Sequence, residues 1–236
     1  MFDVERNGEV AIIRLNNPPV NAVSFGNWDR LPPLLNQLVN DGVGALVFSG
    51  HPQKHFCGGN DFREFNTLTP EQTLAGTGAV QNAMRAVRDC ALPSIAAIHG
   101  AAMGSGFMLS CACDIRLATP DSRLGLPEVK VGAIGGYRIA REVLCQSEAR
   151  MMVMTGEPIS GQRAHQIGLV QGLQDSADLV LARAIAMAGQ IASLMTGELR
   201  SQLKTCMNAE DENALWIAYD MERDLAAKVM GTSRNQ

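Results

Sequence analysis

Two periodicities share the first two-thirds of the chain. Val10 to Leu15, VAIIRL, reads as a strand and is followed by the turn-rich NNPPVNAVS. Leu31, Leu34, Leu35 and Leu38 then recur at helical spacing. Pro32 and Pro33 place the start of that helix near themselves, because proline lacks the N–H that later turns need. Ala45 to Ser49 and Ser94 to Ile98 are short apolar runs of the kind that form buried strands. Between them, 51–63 reads as a loop carrying Gly58-Gly59. The stretch 70–90 reads as a helix with Ala79, Ala83, Met84 and Val87 on one face. A glycine-rich turn at 100–106 leads into an apolar helix ending near Asp114, and Ile115 to Ala118 is strand again. Beyond Gly172 the strand signal stops, and 177–193 and 213–230 read as amphipathic helices. Alternating strands and helices predict an α/β fold. The expected division is a core over 1–172 and a helical region over 173–236 that packs on the core or on a neighbouring subunit.

Composition narrows the function classes. The 236 residues are 46% hydrophobic, enough for a sizeable core. Net charge is −4, from 20 basic and 24 acidic residues mixed along the chain. No basic run marks a nucleic-acid track. The N-terminal MFDVERNGEV lacks the basic-then-apolar pattern of a leader, so a cytoplasmic location is expected. The stretch 91–108 is interrupted by His99 and several glycines, so no membrane span is expected. The six cysteines form no C-x-x-C pair, and Cys111-Ala-Cys113 has no nearby histidine. They read as reduced core thiols. His51, His55 and His165 have no pairing that suggests metal ligation, and zinc needs four convergent ligands, so no metal is expected.

Three segments carry candidate chemistry. In His55-Phe-Cys-Gly-Gly-Asn-Asp-Phe-Arg the paired glycines permit a sharp turn that leaves the Asn60 N–H pointing into a cleft. In Met103-Gly-Ser-Gly-Phe-Met the turn enters a helix. The Ser105 N–H there has no internal partner and sits at the positive end of the dipole. Leu126-Pro-Glu-Val-Lys-Val-Gly puts one acid, Glu128, in an apolar stretch. Singly, none is specific: glycine pairs are usually turns and a lone glutamate is usually solvated. Asp61, Asp114 and His99 read as structural, bonding turns and strand ends.

Taken in order, PPVNAVS, FCGGNDFREF, AAIHGAAMGSGF, CDIRLA, GLPEVKVGAIGG and MTGEPISGQRAHQIGLV resemble the enoyl-CoA hydratase/isomerase family, also called the crotonase family. The resemblance runs from about residue 10 to 170. It implies a crotonase-like core of ββα turns over 1–172, followed by C-terminal helices used for packing and oligomerisation. It also implies an acyl-CoA substrate, with no cofactor beyond the coenzyme A that belongs to that substrate. The family's oxyanion hole falls on the N–H groups of Asn60 and Ser105. Ala22, Asp61, Phe62 and Arg63 fall along its CoA channel. Leu215, Trp216, Ile217 and Tyr219 crowd apolar side chains into the C-terminal stretch. With the resemblance, they predict a homotrimer or hexamer.

The chain departs from the family at one acid. Family hydratases use two glutamates, and here the first position is Met108 while the second keeps Glu128. Hydration must activate a water and also protonate the α-carbon, a task two carboxylates share. Moving a double bond needs one base, which removes a proton at C2 and returns it at C4. The resemblance therefore implies single-glutamate Δ3,Δ2-enoyl-CoA isomerisation. The alternatives are an enolate-forming decarboxylase or carbon–carbon bond enzyme acting on a malonyl-type ester, or a hydratase with an atypical acid. From other classes come a serine hydrolase using Ser105, whose setting is not G-x-S-x-G, and a non-catalytic CoA-ester binder. The segment Gly132-Ala-Ile-Gly-Gly-Tyr is also shorter than the family's glycine- and proline-rich turn, which shapes one wall of the acyl pocket.

Overall fold

The computed structural model describes residues 1–50, 52–65, 67–208, 216–217, 219–220 and 223–224. The strands are β1 (Phe2–Asn7), β2 (Val10–Leu15), β3 (Ala45–Ser49), β4 (Ser94–Ile98), β5 (Ala101–Met103), β6 (Ile115–Ala118), β7 (Arg123–Gly125), β8 (Ile159–Ser160) and β9 (Gly172–Leu173). The helices are α1 (Phe25–Trp28), α2 (Leu31–Asn40), α3 (Phe62–Phe65), α4 (Pro70–Asp89), α5 (Ser105–Ala112), α6 (Tyr137–Ala140), α7 (Gln146–Thr155), α8 (Gly161–Gln166), α9 (Ala177–Leu194) and α10 (Gly197–Asn208).

A six-stranded sheet in the order β1-β2-β3-β4-β6-β9 is parallel except for the β1–β2 hairpin. Its central strands are apolar on both sides because both faces are covered. Ala11, Ile13, Leu46, Phe48, Ala96 and Ile98 join the large core under α2, α4 and α5. Their neighbours Val10, Ile12, Ala45, Val47, Ile95 and Ala97 face Val180, Leu181, Ala184, Ala188 and Ala192 of α9. By length and composition α9 is apolar enough to cross a membrane, but here its buried stripe lies on β2, β3 and β4.

Helix starts follow local chemistry. Thr69 caps α4 through a reciprocal box with Gln72, with Pro70 next in line. Helix α5 shows no apolar stripe because all eight of its residues are buried. Several short or edge elements escaped the sequence pattern. Strand β1 is mostly exposed, and β5, β7 and β8, of two or three residues each, build a separate small sheet. Strand β9 and helices α1, α3, α6, α7, α8 and α10 were also unforeseen.

Three expectations need correcting or narrowing. Cys57, Cys90, Cys111 and Cys113 are buried, but Cys145 and Cys206 are exposed, so not every thiol is a core thiol. Trp216 and Tyr219 are buried in this chain's own core, at 6% and 5% exposure, and offer no free apolar surface; Ile217 is exposed. The helix expected over 213–230 falls mostly outside the described residues, as does Leu215.

Candidate active site

The first glycine turn is held by strand-like bonds on both sides. Cys57 N donates to Ala101 O (3.0 Å) and Met103 N donates to Cys57 O (2.9 Å), tying the turn to β5. On the other side Val23 N donates to Gly59 O (2.9 Å) and Asp61 N to Val23 O (3.1 Å). The residues flanking Asn60 carry this ladder, so the Asn60 N–H itself faces away from Val23. Gly59 has φ +98°, and a Cβ there would lie 2.8 Å from Met103 O. The buried Asn21 braces the turn from behind: its Nδ2 donates to His55 O at 2.8 Å, and its carbonyl accepts from Cys57 Sγ at 3.2 Å. Burial pushes the Cys57 thiol up to about 12, so it is an inert spacer.

The second turn pivots on Gly104, with φ +53° and ψ −125°. Ser105 opens α5, where its N–H has no helical carbonyl to bond. The turns are joined through one amide. Asn60 Oδ1 accepts from Ser105 Oγ at 2.8 Å and from Trp28 Nε1 at 2.9 Å. The sequence did not single out Trp28; its partner lies 32 positions away.

Both turns open on a cavity of about 240 Å³. Asn60, Ser105, Met108 and Glu128 all line it. Glu128 follows Pro127 and begins the 3-10 turn Glu128–Val131. A Cβ on Gly104 would stand 2.9 Å from Glu128 Oε1, which places the carboxylate against the second turn. Met108 lies one turn along α5 from Ser105. Its sulfur accepts from Tyr219 Oη at 3.5 Å, and its methyl packs on Gly136, which with Ile134 and Gly135 walls the cavity in the shortened segment. Among the described residues the cavity thus brings together two glycine turns, the Glu128 carboxylate and the Met108 thioether.

Ala22, Asp61 and Arg63 do not line this cavity. Ala22 is half-buried and its carbonyl accepts from Asn17 Nδ2 at 2.7 Å. Arg63 is exposed and grips Asp61 with contacts of 2.5 and 2.8 Å, which hold the Asp61 carboxyl below the usual range. The Phe62 side chain lies outside the described residues. Asp114 is structural, accepting from Ser94 N and Oγ and pairing with the buried Lys204. His99 Nε2 bonds Gln53 O and His165 Nδ1 bonds Val170 O, so these rings are turned to the backbone rather than to Ser105.

His55 supplies a pH lever on the first turn. Its Nδ1 accepts the Ala101 N–H at 3.1 Å, which only the neutral ring can do. Burial, and then the Lys54 charge, hold its pKa below the imidazole value of about 6.5. The unfolded chain therefore takes up the proton first. The stability from this contact is present above about pH 6.5 and is lost as pH falls through the lower folded-state value. His55→Asn keeps an acceptor that does not titrate. It is expected to flatten the decline of melting temperature below about pH 6.5; an identical decline in both proteins would remove His55 from the account.

Comparison with known proteins assigns the class. The enoyl-CoA hydratase/isomerase family profile matches residues 5–236, and the chain belongs to that family. It is 38% identical over 204 residues to a probable enoyl-CoA hydratase of Bacillus subtilis, covering 83% of this chain and 77% of that one. A probable enoyl-CoA hydratase of Mycobacterium tuberculosis is 30% identical over 235 residues, covering 97% and 89%. Among solved structures, an enoyl-CoA hydratase/isomerase from Mycobacterium paratuberculosis superposes with a TM-score of 0.88 at 26% identity, covering 98% of this chain and 93% of the other. Pseudomonas aeruginosa DspI gives 0.85 at 30%, covering 94% and 92%. The α/β architecture described above is thus the crotonase fold.

Proposed function

We propose that this enzyme shifts the double bond of Δ3-enoyl-CoA esters to the Δ2 position with one carboxylate. The observation that carries the reading is Met108 beside Glu128 in a cavity flanked by two glycine turns. Glu128 removes a proton from C2 of the acyl chain. The electrons move into the thioester carbonyl, whose oxygen rests between the N–H groups of Asn60 and Ser105. The dienolate collapses as Glu128 returns the proton to C4. Each backbone donor is worth about 3 kcal/mol of barrier, by analogy with other oxyanion holes. Ala22, Asp61, Phe62 and Arg63 border the path of the CoA moiety, and coenzyme A enters with the substrate rather than as a resident cofactor. Assembly as a homotrimer or hexamer belongs to the same proposal, and light scattering that reads a clean monomer contradicts that part.

The names of the relatives favour a second reading, hydration of 2-enoyl-CoA esters. A panel of 3-enoyl-, 2-enoyl- and malonyl-type CoA thioesters, read by product identity, separates the two. A conjugated 2-enoyl product from the 3-enoyl ester supports isomerisation; turnover of the 2-enoyl ester alone, to the 3-hydroxyacyl product, overturns it.

Ser105→Ala separates both readings from serine hydrolysis. The hydroxyl donates to Asn60 Oδ1, and the proposed role uses only the backbone. Activity is expected to stay within about threefold of the parent, with a stability cost of about 1 kcal/mol for the lost bond. Loss of turnover would mark the hydroxyl as the nucleophile.

A further inference from the structure

Trp28 does not line the cavity, yet its indole is bonded to a residue that does. The segment that carries it, 23–28, grips the first glycine turn through backbone and side chain together. Val23 N donates to Gly59 O at 2.9 Å, Asp61 N donates to Val23 O at 3.1 Å, and Trp28 Nε1 donates to Asn60 Oδ1 at 2.9 Å. The backbone bonds hold the residues on either side of Asn60. The indole bond reaches Asn60 itself. Backbone bonds along one strand-like line let the turn rock about that line. A further bond, made off the line by a packed side chain, removes that motion.

The segment is itself anchored. Trp28 is fully buried, and Phe2 of β1 lies against its ring with centroids 6.0 Å apart. Phe25 N donates to Glu64 Oε2 at 3.0 Å, and a Cβ on Gly76 of α4 would fall 2.5 Å from the Phe25 ring. An indole N–H is a donor only, on a ring that packing holds in one orientation. If Asn60 shifts, that donor is left buried and unpaired, which is costly. The Ser105 hydroxyl donates to the same oxygen at 2.8 Å, but it rotates about its Cβ and can follow the amide. Trp28 is thus the fixed point and Ser105 the adaptable one.

We infer that Trp28 is a positioning residue: through the Asn60 side-chain amide it fixes the aim of the Asn60 N–H at the thioester oxygen. The inference rests on the oxyanion reading of the two turns and names what holds the first donor in place. Trp28→Phe keeps an aromatic ring in the core and removes the N–H. Asn60→Leu keeps the backbone donor and the tryptophan and removes the acceptor. Butyryl-CoA isotopically labelled at the carbonyl carbon reports donor alignment, because a well-aimed hydrogen bond lowers the carbonyl stretching frequency. In the parent, the infrared band of the bound ester is expected below that of the free ester. In each variant it is expected to return part of the way, with butyryl-CoA affinity within about threefold of the parent. Misaiming the donor is expected to lower kcat about tenfold, on whichever of the 3-enoyl and 2-enoyl esters the parent turns over. The double variant is expected to match the worse single variant, since both changes break one bond. Loosened packing alone lowers the melting temperature and moves neither the band nor this pattern. A bound band at the parent's frequency in Trp28→Phe, or in Asn60→Leu should Trp28→Phe fail to fold, overturns the inference and leaves the oxyanion reading standing. Losses that multiply in the double variant overturn it in the same way. No band shift, or no binding, in the parent overturns both.

Discussion

Glu128→Gln is expected to lower kcat by at least about two orders of magnitude, the usual contribution of an essential general base. Glutamine keeps the shape of the side chain and its contact with the Gly104 turn, where the carboxylate oxygen stands 2.9 Å from the position of a Cβ. It cannot accept a proton at C2 and return it at C4. With Met108 in the other acid position, no second carboxylate among the described residues of the cavity wall takes over. The cavity is otherwise unaltered, so the dissociation constant of a non-reacting ester such as butyryl-CoA is expected to move less than about threefold. Turnover that persists in Glu128→Gln would falsify the single-base assignment. A parallel loss of ester binding would instead show Glu128 shaping the pocket.

A loss of comparable size is expected from Gly104→Ala, for a different reason. Gly104 has φ +53° and ψ −125°, a conformation open to glycine and strained for alanine. The added methyl also lands 2.9 Å from Glu128 Oε1 and 3.8 Å from Gly59 Cα. Relief requires the turn to move, and that turn aims the Ser105 N–H. Misplacing one such donor costs about 10²- to 10³-fold in kcat, and the backbone strain adds about 1–3 kcal/mol of lost stability. Gly78→Ala is the control. Gly78 lies inside α4 with nothing within 4 Å of the new Cβ, so alanine is expected to raise stability by about 0.5–1 kcal/mol. Steady-state kinetics and thermal melts on the two variants measure both effects. Normal kcat in Gly104→Ala removes the second turn from the chemistry.

Much of this molecule was legible because its signals are local. A run such as Ala45–Ser49 can be read as a buried strand from five side chains. Thr69, Pro70 and Gln72 write a helix start within four positions. A glycine pair such as Gly58-Gly59 announces a backbone that other residues avoid. The order of these motifs singled out Asn60, Ser105, Met108 and Glu128, and the fold brings those four to one cavity. The short strands β5, β7 and β8 were not legible, since two or three residues contain no period to read.

What only the tertiary structure decided is pairing across distance. Trp28 reaches Asn60 over 32 positions, and Tyr219 reaches Met108 over 111. The same packing turned Trp216 and Tyr219 inward, where the apolar run, taken with the family resemblance, had suggested a face for a neighbouring subunit. It left Ala22, Asp61 and Arg63 outside the cavity wall. A residue's type and spacing record what its own turn or strand requires. Which distant side chain meets it is set by how whole elements stack to bury their apolar faces, and that solution is not written at any one position.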